Sequence, residues 1–149
     1  MKKVWKVTLI VALVLLCTFL LDQGLHLILD APLRTCRKAY EKLEQTGVRV
    51  MEYENDEFVK IIDHIPINWK SVGREFKVEQ DKEANTITFY CFESSRYIYD
   101  IHGYAIVYSK HIFAFDPEGN LSVYCVIYYN GDTYEMGTKR TYKVVTSET

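Results

Sequence analysis

Four histidines and four cysteines are the side chains of this 149-residue chain best suited to hold a metal or act as a nucleophile. His26, His64, His102 and His111 include no pair at the i, i+4 spacing that stacks two imidazoles on one helix face for zinc. Cys91, His102, His111 and Cys125 are of the types found in tetrahedral sites. Their separations of 11, 9 and 14 fit no zinc module, however, and the chain has no Cys-x-x-Cys. A Cys36–His dyad would supply a thiolate nucleophile, yet Cys36 falls on the apolar stripe of a predicted helix, where a small buried hydrophobe is the expected role. Aspartates and glutamates are scattered through turns and helix exteriors as solvated surface. No catalytic residue, metal or cofactor is therefore expected, and the chain reads as something other than an enzyme. Asn120-Leu121-Ser122 is a glycosylation sequon in a predicted hairpin turn, meaningful only in a host that glycosylates exported chains.

Tyrosine is the residue type above background, with twelve copies and a 14% aromatic fraction. In TITFYCF, alternation sets Ile87, Phe89 and Cys91 against Thr86, Thr88, Tyr90 and Phe92. In LSVYCVIYY it sets Leu121, Val123, Cys125 and Ile127 against Ser122, Tyr124, Val126 and Tyr128. Taking the first set of each strand as the core side puts Cys91 and Cys125 on one buried face, reduced along with Cys36. The opposite face then carries Tyr90, Tyr124 and Tyr128, extended by Tyr97 and Tyr99 of the neighbouring stretch. These five tyrosines are the predicted partner-binding residues, for a protein or glycan, because tyrosine offers large area and a polar tip at little entropic cost.

The elements that must position that face follow from periodicity. APLRTCRKAYEKLEQT, 31–46, repeats Leu33, Cys36, Tyr40 and Leu43 at helical spacing, with Asp30 to cap it, Pro32 in its first turn and Gly47 to end it. VRVMEY alternates as a short strand. Asn55 or Asp56 then predicts the cap of a short second helix, EFVKIIDHI, on which Phe58, Ile61, Ile62 and Ile65 share a face and which Pro66 stops. From Arg74 the period becomes two. REFKVEQ and TITFYCF form a hairpin; RYIYDI, a turn at His102-Gly103, YAIVYSKHIFAF, the turn DPEGN, LSVYCVIYY, a turn at Asn130-Gly131 and KRTYKVV continue an antiparallel meander of five or six strands. The fold class is α+β: an N-terminal transmembrane helix, then one amphipathic and one short helix packed on that sheet. One long helix followed by an antiparallel sheet that wraps it resembles the cystatin-like and nuclear-transport-factor-like folds in architecture. No family motif accompanies the resemblance, so it implies nothing about activity.

The leader decides the compartment. VTLIVALVLLCTFLL, 7–21, is free of charge for roughly 22 Å of helix at ~1.5 Å per residue, short of a ~30 Å hydrocarbon core and so of signal-peptide length. The residues that follow, DQGLHLILDAP, offer no small-x-small cleavage site, and the Cys17 context lacks the small residue a lipoprotein signal needs. Val4 to Leu29 makes a longer span with Trp5 at an interface and Lys6 reaching back to it. Residues 1–29 are accordingly expected to be a retained anchor rather than a cleaved signal, and 30–149 a single extracytoplasmic domain. Lys2, Lys3 and Lys6 place the amino terminus inside and the domain outside the cell membrane, most readily in a bacterial envelope. Beyond Leu21 fifteen Lys and Arg face twenty Asp and Glu, which excludes a nucleic-acid footprint. The reading is a membrane-anchored extracytoplasmic binding or accessory module. Its rivals are a small enzyme with a cleft at the sheet end, or a structural subunit of a membrane complex in which Asp22 and His26 meet another helix.

Overall fold

A computed structural model describes residues 2–72, 75–100, 103–129 and 135–145, leaving the side chains of 2–3, 75–76, 92–100 and 103–107 outside the description. His102 of the predicted His102-Gly103 turn, and the predicted turn at Asn130-Gly131, lie outside the described residues. Two compact units result, residues 1–34 and 35–149.

In the first unit, helix α1 (Lys2–Leu29) contains a 26-residue apolar segment, Val4–Leu29, long enough to cross a membrane or to be a signal sequence. Its valines, leucines and isoleucines are exposed all round, as expected of a helix without a polar face. The two hydroxyls in the apolar run are satisfied within the helix, Thr8 donating to the Val4 carbonyl at 3.0 Å and Thr18 to the Leu15 carbonyl at 2.9 Å. Pro32 has no amide hydrogen to continue the ladder, and α1 ends at Leu29, before Asp30.

The second unit is α+β. Helix α2 (Ala31–Thr46) ends at Gly47, whose φ of 63° is the left-handed conformation that glycine adopts without strain. Strands β1 (Val50–Glu54), β2 (Glu57–Ile62), β3 (Glu75–Asp81), β4 (Thr86–Asp100), β5 (Gly103–Phe115), β6 (Leu121–Tyr129) and β7 (Met136–Val144) form one antiparallel sheet in the order β2-β1-β7-β6-β5-β4-β3, and helix α3 (Trp69–Val72) precedes β3. The sheet thus has seven strands rather than five or six. RYIYD, 96–100, belongs to the long β4, and two strands precede the meander.

One of those two corrects the expected second helix. EFVKII is strand β2, hairpinned to β1, and the short helix lies instead at Trp69–Val72. Asn55 and Asp56, read as a helix cap, adopt φ of 50° and 69°, the pair of positive values a two-residue hairpin turn demands. The Asn55 side chain accepts from the Lys139 amide at 3.0 Å and Asp56 meets Lys139 Nζ at 2.7 Å, which ties the turn to β7. Helical spacing of Phe58 and Ile61 was a false signal. Both remain more than half exposed, so no core surface exists to reward a helical face, and Val59, Ile61 and Ile62 favour the strand.

One face of the sheet is closed by α2 and the 65–72 segment. Phe89 and Phe113 pack edge to face at 5.6 Å, Trp69 stacks on Phe113 at 6.2 Å, and Tyr40 of α2 meets Trp69 at 5.7 Å. Cys36, Val50, Ile65, Val72, Phe89, Cys91 and Phe113 are all at most 1% exposed. At roughly 1.5–3 kcal/mol for each large apolar side chain, this layer dominates the stability of the unit. The Tyr40 hydroxyl shares its proton between Glu44 Oε1 at 2.6 Å and the Ile65 carbonyl at 2.9 Å.

Burial, with Glu44 adding to it, pushes the Tyr40 hydroxyl far above the usual tyrosine value; burial does the same to Tyr124 and, less strongly, to Tyr142. A pKa raised by folding leaves stability intact below the unfolded value of 10.0 and removes it above. Stability should therefore fall once pH exceeds about 10, by up to ~1.4 kcal/mol per pH unit for each of the three tyrosines. Urea titrations at rising pH check this, and Tyr40→Phe should flatten the slope.

Candidate binding face

Cross-strand register decides which side of the sheet each tyrosine occupies, since directly opposed residues share a face. Ile87 pairs with Phe113, Phe113 with Tyr124, and Tyr124 with Tyr142, so Tyr124 stands on the closed face. It is 2% exposed, packed at 4.9 Å from the Phe113 ring and 5.7 Å from Tyr142. Tyr128, opposite Ser109, is half-buried on the same side. Tyr90, opposite Lys110, lies on the other face. Tyr97 and Tyr99 belong to β4, but their side chains lie outside the described residues. The five predicted tyrosines do not form one surface, because Tyr90 is separated from Tyr124 and Tyr128 by the thickness of the sheet.

The cause is one extra residue. Phe115 pairs with Leu121 and Ala114 with Val123, so Ser122 is a bulge beside the 116–120 turn. Leu121 points to the core as expected, at 2% exposure, and beyond the bulge the phase reverses. Tyr124 and Val126 turn inward while Val123, Cys125 and Ile127 turn out. Cys91 and Cys125 are hence on opposite faces, which corrects the expected shared side; Cys36, Cys91 and Cys125 are nevertheless all buried and form no disulfide. Cys125 stays covered because its sulfur accepts a 3.5 Å hydrogen bond from Thr141 Oγ1 and its neighbours close around it.

The closed face also brings together three groups that resemble a catalytic relay. Ser109 Oγ lies 3.0 Å from His111 Nε2, and His111 Nδ1 lies 2.7 Å from the Tyr124 hydroxyl, so both ring nitrogens have a hydroxyl partner. Exposure of all three is at most 4%, beneath the aromatic layer. A substrate has no approach to Ser109 Oγ, and the relay satisfies buried polar groups instead. Sequence reasoning passed over it, although Ser109 and His111, two apart in a strand, necessarily share a face.

On the open face the register assembles a different aromatic row. Tyr90 and Tyr108 stack at 6.1 Å, and Tyr108 meets Tyr129 at 5.0 Å. Lys110 Nζ sits 5.5 Å and Lys77 Nζ 5.7 Å from the Tyr90 ring, cation–π distances, while the Tyr90 hydroxyl donates to Glu79 at 2.9 Å. Burial, then Glu79, raises the Tyr90 pKa, and burial, then the neighbouring tyrosines, raises that of Tyr108. The Lys77 and Tyr90 hydrogen bonds hold the Glu79 carboxyl below its ordinary range. Farther across, Ile112, Val123 and Ile127 are half-buried between this row and Tyr53, over which Lys143 Nζ lies at 4.9 Å. Exposed Phe58 packs on Tyr53 at 6.0 Å and Ile61 lies opposite Met51, so the patch reaches the β2 edge.

The 65–72 segment, through Ile65, Trp69 and Val72, packs over the closed side. Within residues 35–149, α2 and the 65–72 segment both pack on the closed side, and the described side chains of the open side are mostly half-buried. No group of three or more metal-ligating side chains occurs among the described residues. No family model, curated protein or solved structure matches this chain.

Proposed function

We propose that this chain is a single-pass, membrane-anchored extracytoplasmic module of a bacterial cell envelope that binds a protein or glycan partner through the open face of its sheet. The observation that carries the reading is the asymmetry of a sheet with aromatic and aliphatic side chains on both sides and helical cover on one. Half-exposed Tyr90, Tyr108 and Tyr129, with Ile112, Ile127 and the flanking lysines, supply the mixed aromatic, aliphatic and cationic character of binding surfaces. Residues 4–29 serve as the anchor, with the amino terminus inside. The domain, residues 30–149, stands outside.

Tyr108→Ser with Tyr129→Ser tests the face. The double variant should retain stability to within about 2 kcal/mol, since both rings are half-exposed, and should lose a partner that co-purifies with the full chain in mild detergent. Retention of the same partner by the variant removes the open face from the function. A second reading, a structural subunit of a membrane complex, is favoured by one observation on α1. Asp22 and His26 stand one turn apart, 3.8 Å between His26 Nε2 and Asp22 Oδ1, as a polar pair on an apolar helix.

A further inference from the structure

The two edges of the sheet differ in what they expose. Edge strand β3 presents Lys77, Glu79, Gln80 and Asp81 to solvent, polar side chains of the kind that keep an edge from pairing with another chain. Edge strand β2 presents Phe58, 57% exposed, Val59, 48%, and Ile61, 52%. Beyond Leu29 the one other large apolar side chain so exposed among the described residues is Met136. One side of β2 pairs with β1, and among the described residues no strand pairs with the other. A row of amides and carbonyls flanked by apolar side chains is a template for one more strand.

The register of β2 says which strand that is. Lys60 opposes Glu52 and Phe58 opposes Tyr53, so Val59 is an extra residue, a bulge that reverses the alternation. Phe58 and Ile61, three apart in sequence, consequently both stand on the open side, opposite Tyr53 and Met51, while Glu57, Lys60 and Ile62 stand on the closed side. Antiparallel partners must match faces. When β2 is paired with a second copy of itself about a two-fold axis, the faces match over the whole strand if the axis passes between Val59 and Lys60. A shift of one residue either way sets Phe58 against Lys60 or Ile62, residues of the other face. In the matched register Phe58 opposes Ile61 of the second copy, twice, on the open side. On the closed side Glu57 stands diagonal to Lys60 of the second copy, also twice, at the ~7–8 Å that long side chains span. Lys60 Nζ lies 3.7 Å from Glu52 and has donors enough for both carboxylates.

We propose that β2 is the contact of a two-fold homodimer, in which the β2 strands of two copies pair antiparallel and join two seven-stranded sheets into one. Self-complementarity is the reason to name a second copy rather than an unrelated peptide. Both the apolar pair and the charged pair recur in each half of the contact, as a two-fold interface requires. The inference concerns the β2 edge and does not rest on capture of a partner by the open face.

The test uses the full chain with Cys17→Ala, reconstituted in phosphatidylcholine vesicles as two populations, one carrying Phe58→Cys and the other Ile61→Cys. Both side chains are more than half exposed, so neither change touches the core. In the proposed register position 58 of one copy opposes position 61 of the other at about 5 Å between Cα atoms, within disulfide reach. Like positions are displaced by three residues, roughly 10 Å along the strand, which is too far. Mild oxidation should therefore link the mixed populations into dimers roughly fivefold or more above either population alone. Glu57→Lys in both populations should lower that yield roughly fivefold, as two attractive diagonal pairs become repulsive. Glu57→Lys in one population with Lys60→Glu in the other should restore it, because both positions are then cationic in one copy and anionic in its mate. Equal linkage in mixed and unmixed populations is random collision, and absence of linkage in the mixture leaves the edge to a different chain. Either result, or failure of the opposed charges to restore linkage, overturns the proposal.

Discussion

Tyr124→Ser is expected to destabilise the domain by about 3–5 kcal/mol, with a fall in melting temperature on the order of 15 °C. The ring is 2% exposed between Phe113 and Tyr142, so truncation leaves a cavity in the aromatic layer. It also strips His111 Nδ1 of its 2.7 Å partner in a place water does not reach. Tyr124→Phe separates the two contributions. It keeps the packing and removes the hydrogen bond, and should cost about 1–2 kcal/mol. Tyr129→Ser, on the open face, should cost under about 1.5 kcal/mol, because a half-exposed ring loses less apolar burial. Thermal melts of the three variants check the face assignment. Near-equal effects at Tyr124 and Tyr129 would mean that the sheet is covered on both sides or on neither.

The second large effect belongs to α1. Leu13→Arg with Leu16→Arg places two guanidinium groups in the middle of the apolar run, each costing about 3 kcal/mol at the centre of a membrane helix. A balance shifted by roughly 6 kcal/mol abolishes insertion, and the variant should leave the membrane fraction entirely. Retention of the double variant in carbonate-washed membranes would show that something other than Val4–Leu29 holds the chain there.

How far the residues disclosed the fold depends on whether one signal acted alone. Helix α2 was legible to its last residue because the Cys36, Tyr40, Leu43 spacing, Pro32 and Gly47 all agree. The closed side of β4 was legible too, since Phe89 and Cys91 are flanked by threonines and Tyr90. Strand β6 was not. It is apolar on both sides, so alternation has no preferred phase, and the bulge at Ser122 that sets the phase depends on pairing with β5, a partner distant in sequence. That single residue moved Tyr124 into the core and Cys125 out of it, and with them the predicted tyrosine face. EFVKII failed for a related reason. A helical spacing over nine residues competes with a hairpin turn, and Asn55-Asp56 tips the balance only if their positive φ is anticipated rather than a cap. Tyr108 and Tyr129 were missed because each sits one residue from a residue of the opposite face, and only the register of β4, β5 and β6 together brings them beside Tyr90.

Acylation of intact cells expressing the chain, with a membrane-impermeant lysine reagent, tests most directly whether the chain is anchored with its open sheet face outside. The account predicts that Lys77 and Lys143, both exposed on that face, react in intact cells. It predicts further that Lys6 is present in the chain recovered from membranes but reacts only after the cells are broken. Absence of Lys6 from the membrane-extracted chain, or protection of Lys143 until lysis, would contradict it.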